Sequence, residues 1–130
     1  MGTLVPWKGA DVAFNICKEL EKEYKNLRFV FIGGGQLERE MKKRAGKNFT
    51  FLKNLPQNVL GKCVRVADIF LYPTRYESFG RVIAEAMMSG LPVISTKVGA
   101  VPETTGNGGL LVDYGDWNKM KDYTALLIED

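Results

Sequence analysis

A strand, a loop, a helix and a second strand can be read in residues 69–95, IFLYPTRYESFGRVIAEAMMSGLPVIS. Four apolar residues at 69–72 predict a buried strand, and residues 79–89 have the apolar spacing of a helix. Gly90 supplies a stop for this helix, and residues 92–95 predict the next strand. Because each strand is short and apolar throughout, both of its faces must be buried against other elements, which is typical of a parallel sheet.

The same alternation extends along the rest of the chain. Further strands are predicted at 29–32, 49–52 and 110–112, and the remaining helices at 10–25, around Leu37 and Met41, from Pro56, and after Asp116, which is placed as a cap. Leu4 and Val5 have the composition of a strand end, with only three residues before them, which suggests a piece of a longer protein. The predicted fold is α/β, a single Rossmann-like, doubly wound parallel sheet of about six strands with helices on both faces.

Composition and charge narrow the function. The 130 residues, 45% of them hydrophobic, fit one domain with one core. Basic and acidic residues are mixed along the chain, so the net charge of +3 predicts solvated surfaces and no nucleic-acid partner. There is no signal peptide and no apolar run of membrane-spanning length. A cytoplasmic domain is predicted.

The chain contains no histidine, which excludes histidine general bases, Ser-His-Asp triads and histidine-ligated metals within it. Cys17 and Cys63 lie among apolar residues of predicted helices and lack metal-ligand spacing. We therefore predict two buried thiols and no metal site.

The loop after the strand at 69–72 is the first candidate site, because doubly wound sheets bind ligands at the carboxyl ends of their strands. The amides around Phe79, Gly80 and Arg81 would begin the following helix and form an anion site. Gly80 has no side chain, so a phosphate could approach the backbone closely there. Arg81 could add its charge against the phosphates.

Two carboxylates flank this anion site. Glu77 precedes the helix and Glu85 lies within it, a spacing that suits a sugar–diphosphate–ribose ligand. Glu77 would accept hydrogen bonds from hydroxyl groups of the sugar, and Glu85 would accept them from hydroxyl groups of the ribose. A glutamate before a helix can also do no more than stabilise the helix through a favourable interaction with its dipole. Ligand binding and helix stabilisation therefore both stay open for Glu77. Glu85 has apolar neighbours on both sides in the sequence, which favours a ligand over a solvated carboxylate.

Other loops point the same way. The turn at 33–36, GGGQ, is either close to a phosphate or merely a tight strand-to-helix turn. It is a poor dinucleotide fingerprint, since Glu38 stands where GxGxxG needs its third glycine. Lys8 follows the first strand fragment, where it could reach the same anion or simply be exposed. The loop at 99–103, GAVPE, is either ligand-facing or a glycine turn before a short helix.

Together these residues resemble the C-terminal domain of the family 4 glycosyltransferases, which are retaining enzymes of GT-B fold. The resemblance covers essentially the whole chain. It is carried by LVPWKG at 4–9, FIGGGQL at 31–37, PTRYESFG at 73–80, EAM at 85–87, GLPVI at 90–94 and GNGGLLV at 106–112. The most specific part of the resemblance is the pair Glu77 and Glu85, with Phe-Gly between them and Ala-Met directly after Glu85.

The resemblance implies a role for each matching position. Lys8 would contact the donor diphosphate and Glu77 would hold the donor sugar, which makes them the candidate catalytic residues. The implied substrate-binding residues are Gly33, Gly34 and Gly35 in the donor pocket, Ser78, Phe79, Gly80 and Arg81 at the phosphates, Val82 and Glu85 at the ribose, and Leu55 and Pro56 at the base. Catalysis is expected without metal or other cofactor, from a UDP-, GDP- or ADP-sugar.

Two departures from the family pattern bear on activity. Thr3 stands where the family usually has an arginine on the diphosphate, and the N-terminal acceptor domain is absent. Residues 1–130 are therefore interpreted as a donor-binding domain that needs an acceptor domain in cis or in trans, and that binds donor alone without turnover. The full-length enzyme could associate with a membrane.

Two alternatives remain at this stage. One is a non-catalytic or split-gene module that binds a nucleotide sugar. The other is an NAD-type Rossmann oxidoreductase, against which the incomplete GxGxxG pattern argues.

Overall fold

The computed structural model describes residues 1–130, in which strands and helices alternate. The strands are β1 (Phe29–Ile32), β2 (Phe49–Leu52), β3 (Phe70–Tyr72), β4 (Val93–Thr96) and β5 (Gly109–Val112). The helices are α1 (Ala10–Glu23), α2 (Glu38–Arg44), α3 (Gln57–Val66), α4 (Arg81–Met88), α5 (Val101–Thr105) and α6 (Trp117–Glu129), and a 3-10 turn at Pro6–Lys8 precedes α1.

All strand pairs are parallel, which confirms the predicted α/β class. The strands form two sheets, β1-β2 and β3-β4-β5, in place of the single sheet of about six strands that the sequence predicted. The predicted strand end at Leu4 and Val5 is not a strand. Pro6 begins the 3-10 turn directly after it, and the Val5 N–H bonds back to the Thr3 carbonyl at 3.0 Å.

The N-terminal segment, residues 2–8, connects the two sheets. On one side the Gly2 N–H donates to the Ile32 carbonyl at the end of β1, at 2.8 Å. On the other side the Trp7 carbonyl accepts from the Arg75 N–H, in the loop after β3, at 2.9 Å. This segment carries Lys8 to the carboxyl ends of the strands.

Helices cover both faces of the three-stranded sheet. In β4, Val93 packs in a cluster with α4 and α5, whereas its neighbour Ile94 packs with α1 and α6. Successive residues of a strand point to opposite faces, so β4 separates two helical layers.

The two-stranded sheet is covered on one face. Phe31 and Phe49 pack against Phe14 of α1, with the Phe14 and Phe49 ring centroids 5.1 Å apart. On the opposite face Val30 is 50% exposed and Thr50 is exposed. Helices therefore cover both faces of β3-β4-β5, as predicted, and one face of β1-β2.

Glycines and one aspartate set the helix ends near the candidate site. Helix α4 begins at Arg81 and not at Phe79, because Gly80 has a left-handed φ of 67°. It ends at the predicted stop, where Gly90 (φ 78°) precedes a Leu91 N–H that bonds to the Ala86 carbonyl at 3.1 Å. Asp116 caps α6 as predicted. No helix combines the length and apolar character required to cross a bilayer.

Candidate functional site

The two candidate catalytic residues are in contact. Lys8 ends the 3-10 turn and Glu77 lies in the loop from β3 to α4, yet Lys8 Nζ is 3.0 Å from Glu77 Oε2. The Glu77 side chain is 10% exposed and that of Lys8 is 29% exposed, so the pair is mostly shielded from water. The N-terminal segment and the β3–α4 loop thus bring a cation and a carboxylate to one point.

A third group joins this pair. The Tyr72 hydroxyl donates to the same Glu77 Oε2 atom at 2.9 Å, whereas Glu77 Oε1 accepts no hydrogen bond from the protein. Tyr72 is buried, and this burial, with the hydrogen bond to Glu77, raises the pKa of its phenol. Sequence reasoning missed Tyr72. The available signal was a phenol at the end of a buried strand, which needs a polar partner.

The backbone of Glu77 is held from the other side. Its carbonyl accepts from the Ala100 N–H at 2.8 Å. Gly99 permits this approach, because a Cβ at that position would lie 2.2 Å from the Glu77 carbonyl oxygen. The loop at 99–103 therefore holds the backbone of Glu77 in place.

The start of α4 offers free donors. Since the helix begins at Arg81, the N–H groups of Arg81, Val82 and Ile83 have no backbone acceptor. The helical donors therefore begin later than the predicted set around Phe79, Gly80 and Arg81. Ser78 and Phe79 lie in the exposed loop before them, with Phe79 85% exposed.

The glycines of the candidate site pack against other parts of the chain. A Cβ on Gly80 would lie 2.6 Å from Thr104 Oγ1, so the missing side chain makes room for α5. In the 33–35 turn, a Cβ on Gly33 would lie 1.8 Å from the Gly2 carbonyl oxygen, and one on Gly35 would lie 2.5 Å from that of Leu4. Gly34 faces the Glu38 and Lys53 side chains instead. The glycine turn thus accommodates the N-terminal segment.

Glu85 lies apart from the Lys8–Glu77–Tyr72 group. It is half-buried and has no salt bridge or side-chain hydrogen bond. It lines a groove of about 290 Å³ between α3 and α4, together with Gln57, Leu60, Gly61, Val64, Met88 and Ser89. Leu55 and Pro56 directly precede α3, with Pro56 as its N-cap. The predicted ribose and base positions therefore adjoin one groove.

The remaining polar groups show no metal centre or disulfide. No cluster of three or more His, Cys, Asp or Glu side chains is present. Both cysteines are free thiols, with Cys17 buried as predicted and Cys63 only half-buried. Burial, and the nearby charge of Glu21, raise the pKa of Cys17 to about 12.

Comparison with known proteins identifies the family. The profile described as "Glycosyl transferases group 1" matches residues 1–130. The chain belongs to this family. The membership confirms that the protein is a glycosyltransferase by family, and the oxidoreductase alternative is wrong.

Relatives of this chain in the group 1 family are longer proteins. The D-inositol 3-phosphate glycosyltransferase of Corynebacterium efficiens is 35% identical over 100% of the chain, which spans 34% of that relative. The GDP-mannose-dependent monoacylated alpha-(1-6)-phosphatidylinositol monomannoside mannosyltransferase of Corynebacterium glutamicum is 30% identical over 98% of the chain and 36% of its own length. The chain thus spans about a third of the curated relatives it matches.

Among solved structures, the C-terminal domain of a glycosyl transferase group 1 family protein from Francisella tularensis matches with a TM-score of 0.89 and 26% identity. The match covers 100% of this chain and 73% of that one. The group 1 chain therefore has the fold of such a C-terminal domain, as its sequence predicted.

Proposed function

We propose that residues 1–130 are the nucleotide-sugar-binding domain of a retaining glycosyltransferase. The enzyme would transfer a hexose from a UDP-, GDP- or ADP-sugar to a glycan, lipid or small-molecule acceptor. The observation that carries the proposal is the Lys8–Glu77 pair in a chain of this family, with α4 and its free N–H groups beginning at Arg81, shortly after Glu77 in the chain. One relative is named as GDP-mannose-dependent, which is consistent with a nucleotide-sugar donor.

Different charged groups would bind different parts of the donor. The Lys8 ammonium group and the amides that begin α4 would bind the diphosphate and stabilise it as it departs, without a metal. Glu77 Oε1 has no protein partner and would accept from a sugar hydroxyl. Arg81 is exposed at the start of α4 and would add charge at the phosphates.

The groove between α3 and α4 would hold the nucleoside. Glu85 would accept from the ribose hydroxyls, with Val82 beside it on α4 and with Leu55 and Pro56 at the base. The 33–35 glycine turn and the backbone of Ser78, Phe79 and Gly80 would complete the donor site.

The acceptor would be bound elsewhere. We propose that an N-terminal acceptor domain, in cis or in trans, completes the cleft, so that residues 1–130 alone bind donor without turnover. The chain covers only about a third of its curated relatives, which is consistent with this division.

Isothermal titration of residues 1–130 with UDP, GDP and ADP tests the proposal. We expect at least one diphosphate to bind, and its monophosphate, the matched control, to bind more weakly because it lacks the phosphate that Lys8 would contact. Equal binding of the two would contradict the diphosphate site. Absence of binding by all three at millimolar concentration would overturn the proposed function.

A further inference from the structure

The environment of the Glu77 carboxylate is asymmetric. Oε2 accepts from Lys8 Nζ at 3.0 Å and from the Tyr72 hydroxyl at 2.9 Å, and Oε1 accepts from neither. Although Glu77 is only 8% exposed, the structure leaves one oxygen for a ligand and uses the other to hold the side chain. The two donors to Oε2 differ in how firmly they are held.

Lys8 is the more exposed of the two donors. Its side chain is 29% exposed, and the residue is the last of a three-residue turn. A lysine side chain also has many rotatable bonds. In the proposed function its ammonium group is also the cation nearest the diphosphate. A bound diphosphate would therefore compete with Glu77 for Lys8.

Tyr72 is the fixed donor. It is 5% exposed, its ring stacks on Phe70 with centroids 5.4 Å apart, and its carbonyl accepts from Ser95 Oγ at 2.6 Å. A phenol packed in this way has no second rotamer to occupy without emptying part of the core. Its hydrogen bond to Glu77 therefore does not depend on the position of Lys8.

We propose that Tyr72 is a positioning residue that holds the Glu77 carboxylate through Oε2, so that Oε1 faces the sugar of the donor after Lys8 has turned to the diphosphate. This inference rests on the proposed function and deepens it. It assigns to Tyr72 a contribution to binding of the sugar, and none to binding of the nucleotide.

Tyr72→Phe is the direct test, because it removes the hydroxyl and keeps the ring that stacks on Phe70. Isothermal titration compares UDP with UDP-glucose, GDP with GDP-mannose, and ADP with ADP-glucose, in parent and variant. We expect the variant to bind the nucleotide sugar about three- to tenfold more weakly, the loss of one hydrogen bond to a carboxylate. Binding of the nucleotide without sugar should stay within about twofold.

Tyr24→Phe is the matched control. The Tyr24 hydroxyl also donates to a carboxylate, that of Glu129, where α1 meets α6 and away from the site. This variant loses a bond of the same chemistry and should bind both ligands as the parent does. Circular dichroism confirms that each variant is folded before titration.

A double-mutant cycle with Glu77→Ala, which removes both side-chain oxygens, shows whether Tyr72 acts through Glu77. In the Glu77→Ala background, where Tyr72 has no acceptor at position 77, Tyr72→Phe should weaken nucleotide-sugar binding by less than about twofold further. The cycle compares the parent, the two single variants and the double variant. A modest loss of stability caused by Tyr72→Phe occurs in both backgrounds and therefore cancels in the comparison.

The outcomes separate this inference from the proposed function. If nucleotide and nucleotide sugar weaken equally in Tyr72→Phe, or neither changes, the positioning role is overturned while donor binding stands. An undiminished effect of Tyr72→Phe in the Glu77→Ala background would overturn it as well. If the parent binds neither nucleotide nor nucleotide sugar, the proposed function and this inference both fail.

Discussion

Glu77 and Glu85 have the same side chain in different surroundings. Glu77 is buried and shares one oxygen between Lys8 and Tyr72, so much of its hydrogen-bonding capacity is used within the protein. Glu85 is half-buried and has no protein partner, so a ligand can bind it without displacing a protein contact. Substitutions at the two positions should therefore have different effects on stability and on binding.

Glu85→Ala should lower nucleotide affinity about tenfold or more, the usual loss of a hydrogen bond to a charged group. Because Glu85 has no protein partner, the free energy of unfolding should change by less than about 0.5 kcal/mol. Thermal melts with and without nucleotide measure both effects. Glu103→Ala on α5 is the exposed control, and an equal ligand-induced shift in parent and Glu85→Ala would refute the ribose assignment.

Cys17 should make the protein less stable at alkaline pH. Its pKa is raised from an ordinary value of 9.0 to about 12, so between these values the folded chain keeps a proton that the unfolded chain has lost. The free energy of unfolding contributed by the thiol is complete below about pH 9 and falls as pH rises, by up to about 1.4 kcal/mol per unit.

Urea unfolding between about pH 8 and about pH 11 measures this slope. Cys17→Ala should reduce the slope, and Cys63→Ala, which removes the less buried thiol, is the matched cysteine control. The raised phenol pKa of Tyr72 contributes equally in every variant. Identical slopes in the parent and in Cys17→Ala would contradict the prediction.

At the scale of the element, α4 shows what a sequence pattern can and cannot locate. The pattern predicted the end of the helix, since the left-handed Gly90 stops it through local hydrogen bonds. The start was placed at Phe79, whereas the helix begins at Arg81. The left-handed Gly80 packs against Thr104 of α5, and no local pattern announces a contact with a distant helix.

The two glycines that flank α4 provide a matched pair of substitutions. Gly80→Ala and Gly90→Ala both place alanine at a left-handed φ, 67° and 78°, which costs about 1–2 kcal/mol. Only at Gly80 would the new Cβ also meet a neighbour, Thr104 Oγ1 at 2.6 Å, whereas nothing lies within 4 Å at Gly90. Urea unfolding should show the larger loss for Gly80→Ala.

Thr104→Ala shows whether the extra loss comes from this contact. It removes Thr104 Oγ1, the nearest atom to a Cβ at position 80, and leaves Thr104 Cβ at 3.1 Å. The excess cost of Gly80→Ala over Gly90→Ala should therefore shrink in the Thr104→Ala background. An excess cost that is undiminished in that background would show that the contact with α5 is not its cause.

At the scale of the molecule, the N-terminal segment joins the two sheets and carries Lys8 to the site. Leu4 anchors it, since this side chain is 2% exposed in the cluster of α1, α2 and the two-stranded sheet. The Leu4 N–H also donates to the Gly34 carbonyl at 3.0 Å. The position of Lys8 therefore depends on core packing at the opposite end of its own segment.

Leu4→Ala should lower the free energy of unfolding by about 2–4 kcal/mol, the usual cost of emptying a buried leucine site. It should also weaken diphosphate binding, because the segment that holds Lys8 loses its anchor. Leu126→Ala on α6 is the control, as Leu126 is 63% exposed and should cost less than about 0.5 kcal/mol. Urea unfolding and isothermal titration measure the two effects. A cost for Leu4→Ala no larger than that of the control would contradict the anchoring role.

Local patterns alone determined the α/β class, the five strands, the stop of α4, the cap of α6 and the family. Each of these depends on residues close together in the sequence, whose periodicity and turn chemistry are visible without the fold. The family signature at Glu77 and Glu85 is likewise local.

The tertiary structure decided the rest. It divided the strands into two sheets, moved the start of α4 to Arg81, and brought Tyr72 and Lys8 to the same oxygen of Glu77. Lys8 and Glu77 are 69 positions apart, and the contact between them exists only because the N-terminal segment packs between two sheets. Contacts between distant segments follow from packing of the whole core, and no local pattern encodes them.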